Sequence, residues 1–355
     1  MSTDNINKQK KTAVVICPGR GTYNKEELGY LKRLHADKPE LIKIIDDYRT
    51  QQGQQGISEL DAMTKYSMRK HTAGENASAL IYACAMADYQ SINQDEYDIV
   101  AVTGNSMGWY IAMAVAGALK PKAAIELINT MGSMMTEGVI GGQLIYPISD
   151  ENWREDSSVV QQIQLWLDEV NQSVEDEVHI SIHLGGYLVF GGNKSGLAAL
   201  EAKLPVVQDR YPMNLFNHAA FHTPLLKGTS AKAKSLLSND LISKPDIPLI
   251  DGLGQIWQPY SADTDKLYDY TLDTQVVAPY NFSKAIEVAV KEFAPDKLII
   301  LGPGSTLGGA VAQSLIKQQW LELTCKADFI SLQKTEPFIL AMGLADQRKQ
   351  VVIPS

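Results

Sequence analysis

The chain carries a serine, Ser106, in the pattern Gly-x-Ser-x-Gly over residues 104–108. A short apolar run, residues 98–102, precedes the pattern, and a small, alanine-rich amphipathic stretch, residues 111–119, follows it. A strand, a tight turn and a helix form the context in which this pattern holds a nucleophilic hydroxyl above the edge of a sheet. The pattern therefore predicts a nucleophilic serine, and the alternative is an idle serine in a glycine-flanked turn.

The turn around this serine must be sharp, so that its neighbours must be small. Gly104 and Gly108 meet that need on the two sides of the turn. The backbone amide of Met107 then lies at a helix N-terminus, where it faces an oxyanion formed on a carbon that the serine attacks. This arrangement favours chemistry on a carbonyl group.

A serine hydroxyl is a weak nucleophile and needs a neighbouring general base. Two of the six histidines, His218 and His222, lie in a short loop before a predicted helix. Thr223 is a suitable cap for that helix, and Pro224 suits its first position. The periodicity of the sequence does not choose between the two histidines. Of the other four, His35 and His71 lie in polar stretches where exposure is expected, and His179 and His183 lie in a β-rich stretch where structural roles are expected.

The composition limits the classes of protein to which the chain can belong. Its 355 residues are 45% hydrophobic, enough for one large core and a smaller subdomain, and its net charge is -9. The acidic balance argues against a nucleic-acid binder. The three cysteines lack the spacing of a metal site and fit a reduced cytoplasm. We expect a cytoplasmic protein without a signal peptide or membrane span, because the polar start and short apolar runs match neither.

Apolar runs alternate with helical patterns along most of the chain, which predicts an α/β fold with a mostly parallel sheet covered on both faces. Active sites of such sheets lie beyond the carboxyl ends of the strands. The loops at residues 18–21 and 302–304 would join Ser106 there. The predicted strands are residues 12–17, 98–102, 247–250 and 297–301, and the predicted helices are residues 26–47 (interrupted near Pro39), 73–91, 122–136, 224–237 and 282–292.

The middle of the chain has a different order of predicted strands and helices. Between residues 144 and 203 the pattern reads strand, acidic helix, strand, strand, helix. A run of this order and length predicts a small ferredoxin-like α+β insert.

Six ordered motifs resemble those of the malonyl-CoA:acyl-carrier-protein transacylases and of the acyltransferase domains of fatty-acid and polyketide synthases. The resemblance spans about residues 12–317. Residues 18–21 resemble the family's Pro-Gly-Gln-Gly loop, 76–80 its Gln-Pro-Ala-Leu helix start, 104–108 Gly-His-Ser-Leu-Gly, 220–226 Ala-Phe-His-Thr-Pro-Leu-Met, 278–282 Asn-Pro-Val-Gln-Trp, and 301–304 its Gly-Pro-Gly loop.

The resemblance implies a domain organisation. It divides the chain into an α/β hydrolase-like acyltransferase core with a nucleophile elbow, an inserted ferredoxin-like subdomain, a flexible tail and a C-terminal extension. These parts are residues 12–138 with 214–317 for the core, 139–213 for the insert, 1–11 for the tail and 318–355 for the extension.

The resemblance also implies a role for each matching residue. Ser106 would take the acyl group as an ester, and His222 would be its base and the acid for the leaving thiol. A main-chain carbonyl at Asn281 would orient the histidine in place of an aspartate. The backbone amides of Met107 and Arg20 would form the oxyanion hole, so arginine in place of the family's glutamine is tolerable there.

Further expectations follow from the same resemblance. The substrate would be an acyl-CoA and the partner an acyl carrier protein, with no permanently bound cofactor or metal. The chain would act as a monomer. Gly19, in the loop that resembles Pro-Gly-Gln-Gly, is counted with the elbow glycines Gly104 and Gly108 as part of the site.

The chain departs from the family at Met131. Malonyl-specific members carry an arginine there, in the helix after the elbow, which pairs with the free carboxylate of malonate. Lysine and arginine are absent between Lys122 and Arg154. Because burying a carboxylate without a cation costs several kcal/mol, this departure predicts an acyl group without a free carboxylate. The alternative is malonyl transfer with another cation, such as Arg20.

Four other residues are expected around the same acyl pocket: Asn76, Asn105, Trp109 and Phe221. The first three differ from the family's usual residues and fit either altered substrate selection or drift. Two rival functions remain open. One is a proofreading hydrolase with water as the second acceptor, and the other is an inactive docking homologue.

Overall fold

The structure is a computed structural model that describes residues 9–134 and 139–353. Residues 1–8 of the predicted tail and the end of the predicted helix 122–136 lie outside the described residues. The strands are β1 Lys11–Cys17, β2 Tyr97–Gly104, β3 Gly142–Pro147, β4 Val178–Leu184, β5 Tyr187–Gly192, β6 Met213–Asn214, β7 Leu249–Ile250, β8 Ile256–Trp257, β9 Tyr280–Asn281, β10 Lys297–Ile300 and β11 Ile339–Ala341.

Helices cover the strands of both sheets. They are α1 Tyr30–Leu34, α2 Pro39–Gln51, α3 Ile57–Asp61, α4 Met68–His71, α5 Gly74–Tyr89, α6 Gly108–Val115, α7 Pro121–Ser133, α8 Ser157–Val170, α9 Lys194–Lys203, α10 Lys227–Leu236, α11 Thr264–Asp269, α12 Gln275–Val277, α13 Phe282–Phe293, α14 Leu307–Lys317, α15 Lys326–Thr335 and α16 Ala345–Arg348. A π-helical turn, Tyr270–Thr274, joins α11 to α12.

The larger sheet has the order β11-β10-β1-β2-β7-β8. Its pairs are parallel, apart from the antiparallel pair of β7 and β8. The central strand β1 is buried from Ala13 to Cys17, as expected of a parallel strand covered on both faces. The predicted α/β core with a mostly parallel sheet is confirmed.

The smaller sheet has the order β6-β3-β5-β4-β9 and its own apolar core, formed with α8 and α9. Strands β3 to β6 with α8 and α9 follow the order of a split β-α-β unit, as predicted for the insert. The strand β9 comes from the main domain and pairs in parallel with β4 through Ile182 and Tyr280. The insert is therefore joined to the main domain by backbone hydrogen bonds.

Two of the predicted boundaries differ from the structure. Lys11, assigned to the tail, already pairs with Tyr97 in β1. The segment 318–355, predicted as an extension, supplies β11, which pairs with β10 at the edge of the core sheet. A strand of three residues leaves too little periodicity for a sequence pattern to reveal it. Within the described residues, no helix is long and apolar enough to cross a membrane.

A buried ion-pair cluster fastens this C-terminal segment to the core. The Asp88 carboxylate accepts hydrogen bonds from Tyr30 Oη at 2.9 Å and from the Gly302 amide at 2.7 Å, and it pairs with His35 and Arg348. Burial alone would raise the pKa of Asp88, but the His35 hydrogen bond and the Arg348 charge hold it below its ordinary value. One carboxylate thus ties the C-terminal segment to the loop that starts at Gly302.

Removing the cation of this cluster should weaken the whole domain. In Arg348→Met we expect the free energy of unfolding to fall by about 3 kcal/mol, because the change leaves a buried carboxylate without its arginine partner. Urea denaturation measures the effect. The neighbouring exposed Lys349→Met is the control, with an expected change below about 0.5 kcal/mol. Equal stability of the two variants would contradict the assigned importance of the cluster.

Candidate active site

The elbow is built by the close approach of β1, β2 and α6. A Cβ atom on Gly104 would lie 2.2 Å from the carbonyl oxygen of Gly108, and one on Gly108 would lie 2.4 Å from that of Cys17. Ser106 has a positive φ of 55°, the strained conformation of a nucleophile elbow. A Cβ atom on Gly19 would lie 2.6 Å from the carbonyl oxygen of Asn105. Glycine is thus required on both loops for the serine to take this position.

Of the two candidate bases, His222 is the one that contacts Ser106. Ser106 Oγ lies 2.7 Å from His222 Nε2, although the two residues are 116 positions apart in the chain. His222 Nδ1 is hydrogen bonded to the backbone carbonyl of Gln275. Because a carbonyl oxygen only accepts, Nδ1 carries the proton and Nε2 is free to accept from the serine hydroxyl. Burial lowers the pKa of His222 to about 4, although the Gln275 carbonyl acts in the opposite direction.

The prediction that Asn281 supplies the orienting carbonyl is wrong. Asn281 caps α13, where its side chain accepts from the Lys284 amide at 2.8 Å. The carbonyl of Gln275 takes this role because the residue four positions later is Pro279, which has no amide hydrogen to complete a helical bond. The next carbonyl, of Val276, accepts from the His222 amide at 2.8 Å.

Gln275 also has a side-chain role that the sequence patterns did not indicate. Its amide Nε2 donates to the Ser106 carbonyl at 3.1 Å, and its Oε1 accepts from Tyr110 Oη at 2.9 Å. Gln275 therefore positions the backbone of Ser106 through its side chain and the ring of His222 through its carbonyl. A glutamine four positions before a proline was the only signal in the sequence.

Both residues predicted to supply the oxyanion hole, Met107 and Arg20, line a cavity with Ser106. Met107 directly precedes α6, so its amide is at a helix N-terminus. Arg20 Nη2 donates to the Thr72 carbonyl at 2.9 Å. Arg20 Nε is buried without a hydrogen-bond partner in the described part of the chain. Burial lowers the pKa of Arg20 to about 10, so the group is still charged at neutral pH.

Two cavities meet at Ser106, and Arg20 and Phe221 also line both of them. The small cavity has a volume of about 40 Å³. Its remaining lining residues are Ser78, Met107, Tyr110, Met131, Gly132 and Gln275. The large cavity has a volume of about 480 Å³ and runs between the insert and the core. Apolar side chains form much of its wall, among them Ile145, Ile182, Leu184, Val189, Leu215 and Leu307.

Three of the five predicted pocket residues line these cavities, namely Met131, Phe221 and Asn105. The prediction is wrong for the other two. Trp109 is fully buried on the far side of α6, where Nε1 donates to Thr271 Oγ1 at 3.1 Å. Asn76 accepts from a buried arginine, Arg49, at 2.6 Å. Neighbours of a motif in sequence point to different faces of a helix, which the motif alone does not record.

The low pKa of His222 predicts the pH dependence of serine acylation. The base must be neutral to accept the serine proton, so kcat/KM should stay level from about pH 8 to about pH 5. Below about pH 4 it should fall tenfold per pH unit as the imidazole becomes charged. Steady-state rates measure the profile, and circular dichroism at each pH is the control for unfolding. A midpoint near the ordinary histidine pKa of about 6.5 would contradict the prediction.

The chain is similar in sequence and fold to known proteins. No family model matches the chain. The malonyl CoA-acyl carrier protein transacylase of Bacillus subtilis is 23% identical over 303 residues, which cover 83% of this chain and 88% of that protein. The Coxiella burnetii enzyme of the same name has a structure that matches with a TM-score of 0.73 and 15% identity, covering 96% of each chain.

A third relative was solved with a partner. It is a malonyl-transacylase in complex with its type II polyketide-synthase acyl-carrier protein, which matches with a TM-score of 0.70 and 17% identity, covering 97% of this chain and 99% of that one. The chain has the fold of the malonyl-CoA:acyl-carrier-protein transacylases along nearly its whole length, and the resemblance predicted from its motifs is confirmed.

Proposed function

We propose that the chain is an acyltransferase that moves an acyl group from acyl-CoA to the phosphopantetheine thiol of an acyl carrier protein. The observation that carries this proposal is the 2.7 Å contact between Ser106 Oγ and His222 Nε2, with His222 Nδ1 held by a backbone carbonyl. This is a nucleophile next to a neutral, oriented base, the minimum for covalent acyl transfer.

In the first half-reaction His222 Nε2 removes the proton of Ser106 Oγ as the oxygen bonds to the thioester carbonyl carbon. The electron pair of the carbonyl moves to its oxygen, where the amides of Met107 and Arg20 stabilise the charge. When the intermediate collapses, the carbon–sulfur bond breaks and the leaving thiolate takes the proton from His222. The product is an acyl ester on Ser106 and free coenzyme A.

The second half-reaction reverses these steps with the carrier's thiol. His222 takes the thiol proton, and the sulfur attacks the ester carbonyl carbon. Ser106 Oγ leaves and recovers the proton from His222. A hydrolase would use water in place of the thiol at the same site, so the lifetime of the ester without a carrier separates the two functions.

The acyl group must fit the small cavity beside Ser106. Its volume of about 40 Å³ is roughly three times the minimum that holds one water molecule. Such a space suits a short acyl tail of a few heavy atoms. Met131, which lines this cavity, favours a tail without a free carboxylate.

A specific observation favours the opposite acyl class, a short tail that ends in a carboxylate. Met131 favours an uncharged tail only where no cation is near, but Arg20 lines the same small cavity. It has a buried Nε without a partner in the described residues and forms no ion pair there. A buried cation without a counter-charge is costly, and a carboxylate offsets that cost. We therefore propose a short carboxyacyl group of the malonyl type, with an uncharged short acyl group as the second candidate.

The covalent step is tested by mass spectrometry after incubation with acyl-CoA. We expect an acyl adduct on Ser106 in the wild type and its loss in Ser106→Ala. In His222→Ala the rate of acylation should fall by about 10³-fold, because the general base is gone. Ser78→Ala is the matched control, since Ser78 lines the same cavity without a base and should leave the adduct in place.

Three outcomes of this experiment would contradict the proposal. An adduct that persists in Ser106→Ala would place the nucleophile elsewhere. An ester that decays in seconds without a carrier, and no faster with one, would make the protein a hydrolase. Absence of any adduct on the wild type would support the inactive docking homologue.

The acyl class is tested with malonyl-CoA and acetyl-CoA. We expect the wild type to prefer malonyl, and Arg20→Gln to lower the ratio of malonyl to acetyl kcat/KM by about 10²-fold, since the change removes the charge but keeps the backbone amide. Adding Met131→Arg to that variant should restore the ratio. Arg210→Gln, at the large cavity only, is the control and should leave the ratio unchanged. A wild type that uses acetyl and ignores malonyl would leave the uncharged acyl group as the function.

A further inference from the structure

A buried chain of hydrogen bonds runs from the large cavity to the loop that carries the base. His218 Nδ1 lies 2.8 Å from Gln143 Oε1, and Gln143 Nε2 lies 2.8 Å from Ser181 Oγ. Ser181 Oγ in turn lies 2.9 Å from the backbone carbonyl of Phe221. Gln143 and Ser181 belong to β3 and β4 of the insert and are almost fully buried. The insert thus holds both ends of the loop between residues 218 and 221.

The direction of each hydrogen bond in this chain is determined by its last member. The Phe221 carbonyl can only accept, so that the Ser181 hydroxyl must donate to it. Ser181 Oγ then accepts from the amide NH₂ of Gln143, which turns the Gln143 oxygen towards His218. His218 Nδ1 must therefore carry a hydrogen and donate it. The remaining ring nitrogen, Nε2, is an unprotonated acceptor.

This acceptor stays unprotonated and without a protein partner. Burial and the nearby charge of Arg20 lower the pKa of His218 to about 3, so the ring is neutral at ordinary pH. Within residues 9–134 and 139–353, His218 Nε2 has no hydrogen-bond partner, and the ring lines the large cavity beside Ser106. The wall of the large cavity therefore includes a fixed hydrogen-bond acceptor, His218 Nε2, among mostly apolar side chains.

We propose that His218 Nε2 accepts a hydrogen bond from an amide N–H of the pantetheine arm when the thioester lies in the large cavity. The inference rests on the proposed function, in which coenzyme A and the carrier protein present the same arm. That arm must pass through a cavity that reaches Ser106, and it contains two secondary amides that are neutral donors. A cationic donor is disfavoured because the Arg20 guanidinium lines the same cavity.

The choice of a neutral amide also follows from energetics. An amide N–H that leaves water for an apolar wall loses a hydrogen bond unless the wall replaces it. A pre-oriented acceptor replaces that bond without ordering a flexible side chain. His218 would then be a positioning residue, which fixes how far the thioester carbonyl extends towards the serine.

The experiment combines a change in the enzyme with a change in the substrate. The probes are acyl-pantetheine and two analogues in which one amide N–H or the other is replaced by an ester oxygen. In the wild type we expect kcat/KM to fall about tenfold with one of the two analogues. His218→Phe should show the same fall with the native arm and no further fall with that analogue.

Several outcomes overturn the assignment. Wild-type rates that are equal for all three arms exclude a hydrogen bond from either amide, and this measurement needs no variant. A His218→Phe variant that loses the same factor on every arm has a structural defect, so that His218 has no role in binding the arm. Failure of the proposed function is distinguished from these results, because it would leave Ser106 of the wild type without an ester from the native arm.

Discussion

The hydrogen bond between Ser106 and His222 depends on a backbone carbonyl that a proline leaves free. Both residues have positive φ values, 55° and 61°, which cost of order 1–3 kcal/mol each unless the surroundings hold them in place. The Gln275 carbonyl holds the ring, and its freedom to do so follows from the missing amide hydrogen of Pro279. A short π-helical turn, Tyr270–Thr274, directly precedes Gln275. A backbone carbonyl thus orients the base, and Pro279 leaves that carbonyl free to accept the hydrogen bond.

The insert is part of this arrangement rather than an appendage to it. Its sheet receives β9 from the main domain, and its Ser181 donates to the carbonyl of Phe221, the residue before the base. The base therefore has the core on one side, through the Gln275 carbonyl, and the insert on the other. Because both subdomains hold the same loop, relative movement between them would change the distance between His222 and Ser106. These contacts from the core and from the insert hold His222 beside Ser106, although a large cavity lies between the two subdomains.

The sequence was most informative where local chemistry and local structure coincide. The elbow at Ser106 was predictable because strand, glycine, serine, glycine and helix occur in consecutive positions, and each follows from sterics. The strand β11 was not predictable, since its three residues become a strand only by pairing with β10. The orienting carbonyl was misassigned to Asn281 because a backbone carbonyl has no signature of its own in a sequence. Only the fold determines which of many carbonyls faces a histidine.

The walls of the acyl pocket come from distant parts of the sequence. Met131 and Arg20 are more than a hundred positions apart, yet both line the small cavity beside the serine. A cation can enter that cavity from the loop after β1 as readily as from α7, because its guanidinium lies at the end of a long side chain. The absence of arginine at one position therefore excludes a charge only if every other wall of the cavity is known. Electrostatic interactions depend on distances in space, and the fold sets these distances when it brings all the walls of the cavity together.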